Sequence, residues 1–137
     1  MLKIRNEDLV DVMNFLKGFD LPPKISRIRT KLTKLIQVKI DELYQDEVEL
    51  LQKYGRKDES GNFVQHDGAF SLIPETAAEY HKEKADLLFE ETHINVAELQ
   101  DKLPLLIVGF EDSDTKLSGK DAEMLDLILE QLEQEEM

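Results

Sequence analysis

Between residues 24 and 39 the chain carries six Lys or Arg (Lys24, Arg27, Arg29, Lys31, Lys34, Lys39) and no acid. The formal net charge of the whole is −13, so removing those six cations leaves −19 for the remainder. Cations at this density seek anions, as a bidentate fork from Arg and as a point charge from Lys. A basic segment in an acidic field has two uses: it pairs with the chain's own carboxylates, or it meets a partner. For partner binding the candidate residues are Lys24, Arg27, Arg29, Lys31 and Lys34. Direct nucleic-acid contact is disfavoured, because the net negative charge repels phosphate at long range and no aromatic residue is interleaved to stack bases.

Other chemistry is harder to place. Asp58, Ser60, Gly61, Asn62, Phe63 and Asp67 resemble parts of a calcium loop read from residue 56, but Arg56 stands at the first ligand position and Asp67 where a bidentate Glu belongs. A loop joining a helix to a hairpin explains these residues better. His66, His81 and His93 are isolated and lack the two-on-one-face spacing of a zinc site. His81 falls on an apolar stripe, as a hydrogen-bonded, half-buried residue would, and His66 on a hairpin surface. Carboxylates are so numerous that no pair stands out as acid and base. There is no nucleophile elbow and no Gly-rich phosphate loop. The sequence therefore names no catalytic residue, no metal ligand and no cofactor, and a small enzyme of unknown reaction is the least favoured reading.

The elements that must position the basic segment follow from periodicity. Hydrophobic residues at 41% with 34% charged residues place the chain among globular folds, and 137 residues suit a single domain. Cysteine is absent, which excludes disulfides and thiolate chemistry and agrees with a cytoplasmic address. The first residues lack the apolar run of a signal peptide, and no stretch is apolar enough to span a bilayer, so no membrane role is expected.

Leu2 and Ile4 alternate with charged residues, as in a short edge strand, before Asn6 opens a helix over about 7–17. Pro22-Pro23 break the chain. No Gly or Pro occurs from Lys24 to Tyr54, and Ile25, Ile28, Leu32, Leu35, Ile36, Ile40 and Leu43 recur at helical spacing. One helix is predicted there, about 45 Å long at the standard rise, more than a compact domain of this size can cover. The excess must project or be covered, which favours self-association.

Asp67-Gly68 between two short alternating runs predicts a hairpin in which Gln65 faces Phe70 and Phe63, Phe70 and Leu72 share a face. Pro74 leads a third helix with Ala77, Ala78, His81, Ala85, Leu88 and Phe89 on its apolar face, ending near Thr92. His93 to Val96 reads equally as a strand or as the approach to a short helix capped by Asn95 and closed by Pro104. Leu105 to Phe110 reads as a buried extended segment. Ser118 and Asp121 open a last, acidic helix with Leu125, Ile128, Leu129 and Leu132 as its stripe. That helix is the internal counter-charge available to the basic segment.

Several runs taken together, Ile4-Arg5-Asn6-Glu7-Asp8-Leu9, Lys24-Ile25-Ser26-Arg27-Ile28-Arg29, Lys53 to Asn62 and Leu117-Ser118-Gly119, resemble a family of small uncharacterised proteins encoded by tailed phages and prophages of Gram-positive bacteria. The resemblance covers nearly the whole chain. It implies a viral accessory role and assigns no binding residue.

The expected architecture is α+β and mainly α: a long central helix, three shorter helices and a small antiparallel hairpin. The expected function is non-catalytic protein binding, either as a helper of virion assembly that meets a phage structural protein or as an acidic inhibitor of a host nucleic-acid-binding or defence protein.

Overall fold

The computed structural model describes residues 1–66 and 69–136, without the side chains of His66 and Glu136. In chain order the elements are β1 (Leu2–Arg5), a 3-10 turn, α1 (Leu9–Gly18), α2 (Pro23–Tyr54), β2 (Gln65–His66), β3 (Ala69–Phe70), a second 3-10 turn and α3 (Ala77–Phe89). Then follow β4 (Glu91–Ile94), a 3-10 segment at Ala97–Lys102, α4 (Leu103–Glu111) and α5 (Gly119–Glu136). The fold is α+β and mainly helical, as periodicity predicts. The chain divides into two compact units: 1–40 together with 91–137, and 41–90.

In the first unit β1 and β4 pair antiparallel with Leu2 opposite Ile94 and Ile4 opposite Thr92. Side chains alternate across a strand, so Leu2, Ile4 and Ile94 turn inward together and all three are buried. Helix α5 lies against α1, α4 and β1. Its Gln131 accepts a hydrogen bond from the Lys3 amide at 2.9 Å, and its Lys120 bridges Asp11 of α1 at 2.8 Å. The core is filled by Leu9, Val12 and Leu16 of α1, Leu32 and Ile36 of α2, Leu103 and Leu106 of α4 and Leu132 of α5, each nearly inaccessible to water. Phe15, Phe19 and Phe110 stack at ring separations of 5.0 to 6.3 Å.

Leu105 to Phe110 belongs to α4, not to an extended segment. The run Leu105 to Val108 is apolar throughout, so period alone cannot tell strand from helix, and Pro104 sits in the first turn of α4 where its missing N–H costs nothing. Pro104 therefore starts a helix instead of closing one. The two readings of residues 93–103 both have a share: the strand runs to Ile94, and Asn95 then accepts from the Ala97 amide at 3.0 Å as the 3-10 segment begins.

In the second unit the rest of α2, from residue 41 on, contributes the buried Leu43 and Tyr54, and Tyr54 meets Tyr80 of α3 edge-on at 6.0 Å. Gln65 pairs with Phe70 in the expected register, and the rings of Phe63 and Phe70 lie 5.6 Å apart. The Asp67-Gly68 turn predicted for this hairpin lies outside the described residues. Helix α3 stops at Phe89 and buries a different face from the one predicted. Tyr80 is its buried residue, whereas Ala78, His81, Ala85 and Phe89 are exposed. Alanines carry little apolar area, so the larger Tyr80 sets which way the helix turns. No described helix is long and apolar enough to cross a membrane.

The length of α2 has a local explanation. Its first part supplies Ile28, Leu32 and Ile36 to one core and its last part supplies Leu43 and Tyr54 to another.

Candidate functional site

Within the first unit, the first turns of α2 lie beside the 3-10 segment and the start of α4. Gly109 of α4 makes this approach close: a Cβ there would stand 2.8 Å from Ile25 Cγ2 and 3.3 Å from Leu21 Cδ2. Along the seam opens a cleft of about 200 Å³ lined by Lys24, Arg27, Ile28, Lys31, Lys102 and Leu105. Its floor is apolar, from Ile28 and Leu105, and its rim is four cations. A second hollow of about 490 Å³ continues past Lys31 to Lys34, Leu35, Asn95, Glu98 and Leu99. Lys31 is shared by both, so the two adjoin as one groove along α2, and among the described residues Glu98 is the acid that lines it.

The groove carries a concentrated positive charge. Lys24, Arg27, Lys31, Lys34 and Lys102 are exposed, and among the described residues none of them makes an ion pair within 4.0 Å. The Lys102 ammonium, near enough to share a hydrogen bond with the Lys31 amine, holds Lys31 below the usual lysine range. Burial and Arg27 push the same way, and Glu98 opposes them. Two adjacent ammonium groups repel, and a bound carboxylate or phosphate would relieve both.

The five residues singled out from sequence do not act as one set. Lys24, Arg27, Lys31 and Lys34 line the groove, but Arg29 faces the other way. Its Nη1 donates to the carbonyls of Leu16, at 3.1 Å, and of Phe19, and its Nη2 donates to Ser26 Oγ at 2.8 Å. A half-buried guanidinium thus closes the C-terminal end of α1, where a cation also complements the helix dipole. Lys102 is the member that sequence reading missed. It lies 71 residues beyond Lys31 in the chain, and no local pattern signals a contact over that separation.

Among the described residues, acidic α5 makes no ion pair with this surface. Its ion pairs in the described residues run from Lys120 to Asp11 and from Glu135 to the N-terminal amine of Met1. The remaining motifs resolve as structure. Asp58 Oδ1 accepts the amides of Ser60 at 2.9 Å and Asn62 at 3.0 Å, and Gly61 takes φ +83°, so residues 58–62 form a tight loop turned on its own backbone, while Asp67 lies outside the described residues. His81 is exposed, not half-buried, with its ring edge-on to Tyr80 at 5.4 Å. His93 is exposed beside Glu91 at 3.9 Å. Among the described residues no three His, Asp or Glu converge as a metal site. A separate cavity of about 390 Å³ between α1 and α5 mixes Asp11, Asp20 and Asp121 with Lys116 and Lys120, and Lys120 is already engaged by Asp11.

Fold and groove together define a mainly helical α+β protein with a basic groove along α2. Over residues 1–137 the chain matches the family described as protein of unknown function (DUF1617), and it belongs to that family. No curated protein and no solved structure matches it.

Proposed function

We propose that this is a non-catalytic accessory protein that works by protein–protein binding, its groove along α2 receiving an acidic segment of a partner. The observation that carries this reading is the set of five cations, Lys24, Arg27, Lys31, Lys34 and Lys102, gathered from two distant parts of the chain around the apolar Ile28 and Leu105. Apolar floor and charged rim are the arrangement of protein interfaces, in which the buried centre supplies affinity and the rim supplies orientation and encounter rate. The resemblance to phage-encoded proteins sets the context: the partner is a phage structural protein, and the role is that of an assembly helper in the host cytoplasm.

The test is capture by the tagged protein from infected and uninfected cells, comparing the native chain with K31E/K102E. Helicity is retained because both residues are exposed on helical segments. The expected result is a virion protein captured from infected cells by the native chain and lost by the variant. Equal capture by both would remove the groove from the mechanism, and capture of a host protein from uninfected cells would replace assembly with inhibition of a host factor.

A further inference from the structure

Lys24, Arg27, Lys31 and Lys34 follow one another at steps of three, four and three residues, which keeps them on one face of α2 over about 15 Å of helix. Helix α5 carries an acidic series with the same steps: Glu123, Asp126, Glu130 and Glu133. All four are exposed, and among the described residues none of them makes an ion pair within 4.0 Å. The buried residues of α5, Met124, Ile128 and Leu132, lie on its other side. Both series belong to the same unit, where α5 is held against α1, α4 and β1. They are thus fixed on separate surfaces and leave each other's charge unanswered within one chain.

We infer that the groove along α2 is a self-docking site, which takes the Glu123–Asp126–Glu130–Glu133 face of α5 from a second copy of this chain. The step pattern of three, four and three reads the same in both directions, so the ladders match in register for parallel or antiparallel helices. Leu105, 43% exposed at the groove floor, supplies apolar area that the seated helix would cover. Long-range repulsion between two chains of net charge −13 does not prevent this. At physiological ionic strength the Debye length is about 8 Å, which screens the distant charges far more than the contacting pairs. The contact joins unlike surfaces, so a pair of copies retains one free groove and one free α5 face. Such head-to-tail contacts build rings when the rotation closes and filaments when it does not.

This inference rests on reading the groove as a docking surface, and the test separates the two. Light scattering and sedimentation of the full chain should show assembly that grows with concentration at physiological ionic strength and dissociates toward monomer at high salt. K31E/K102E and D126K/E130K should each be monomeric, with association weakened about tenfold or more per reversed contact. Mixed one to one, they should associate again, because the intact acidic face of the first fits the intact basic groove of the second. Circular dichroism matching the native chain confirms that each variant is folded. A native chain monomeric up to millimolar concentration at physiological ionic strength would overturn self-docking, while loss of partner capture by K31E/K102E would still uphold the groove. Assembly abolished by the groove variant but unaffected by D126K/E130K would overturn α5 as the occupant.

Discussion

Replacing Arg29 with Met tests whether the basic segment has a structural member as well as binding members. Methionine keeps an unbranched apolar stem and removes the three hydrogen bonds to Leu16 O, Phe19 O and Ser26 Oγ. Hydrogen bonds from a charged donor contribute about 1.5 to 3 kcal/mol each when their partners are left dry. Arg29 is half-buried, so water reaches part of the vacated site, and the combined loss falls at about 2 to 3 kcal/mol. At roughly 3 to 5 °C per kcal/mol for a chain of this size, Tm falls by about 6 to 15 °C. The assay is thermal and urea unfolding followed by circular dichroism, beside K31E as the groove control. R29M should lower Tm and the urea midpoint while partner capture at low temperature persists. K31E should leave Tm close to native while capture is weakened. An R29M protein within about 2 °C of native, but unable to capture the partner, would refute the assignment of Arg29 to the closure of α1.

Three further outcomes follow from packing and charge. Leu106 is fully buried and Leu105 is 43% exposed, so L106A should cost about 2 to 5 kcal/mol in urea unfolding, whereas L105A should cost about 1 kcal/mol or less and instead weaken docking. Gly55 has Leu51 O at 2.6 Å and the Phe63 ring at 3.0 Å from where a Cβ would stand, so G55A should destabilise by about 1 to 3 kcal/mol in the same assay. Lys31 is held below its ordinary range chiefly by Lys102, so between that depressed value and the ordinary one the unfolded chain binds more protons, and stability rises with pH across the window. K102Q should return the Lys31 titration, read by NMR at the carbon beside the amine, toward the ordinary range and flatten that rise; an unchanged titration would contradict the pairing.

Elements with a strong local signal are legible in the sequence. Helix α2 has a proline at its start, a glycine after its end and unbroken periodicity between them, and it runs Pro23–Tyr54 as predicted. Alternation at Leu2 and Ile4 gave the strand, although not its partner: β4 lies about ninety residues away and carries a single buried residue, Ile94. Helix α4 was misread because Leu105 to Val108 are apolar on every side, which removes the period that separates helix from strand. The face of α3 was misread because counting apolar positions gave alanines the weight of Tyr80.

By itself the sequence determined the charge segregation, the long helix and the absence of any thiol chemistry, since each depends only on residue identity and local order. Tertiary packing decided which cations work together. It turned Arg29 inward to the end of α1 and brought Lys102 to Lys31, because the direction of a side chain and the approach of two distant segments are set by the core they jointly bury, and no local pattern encodes that.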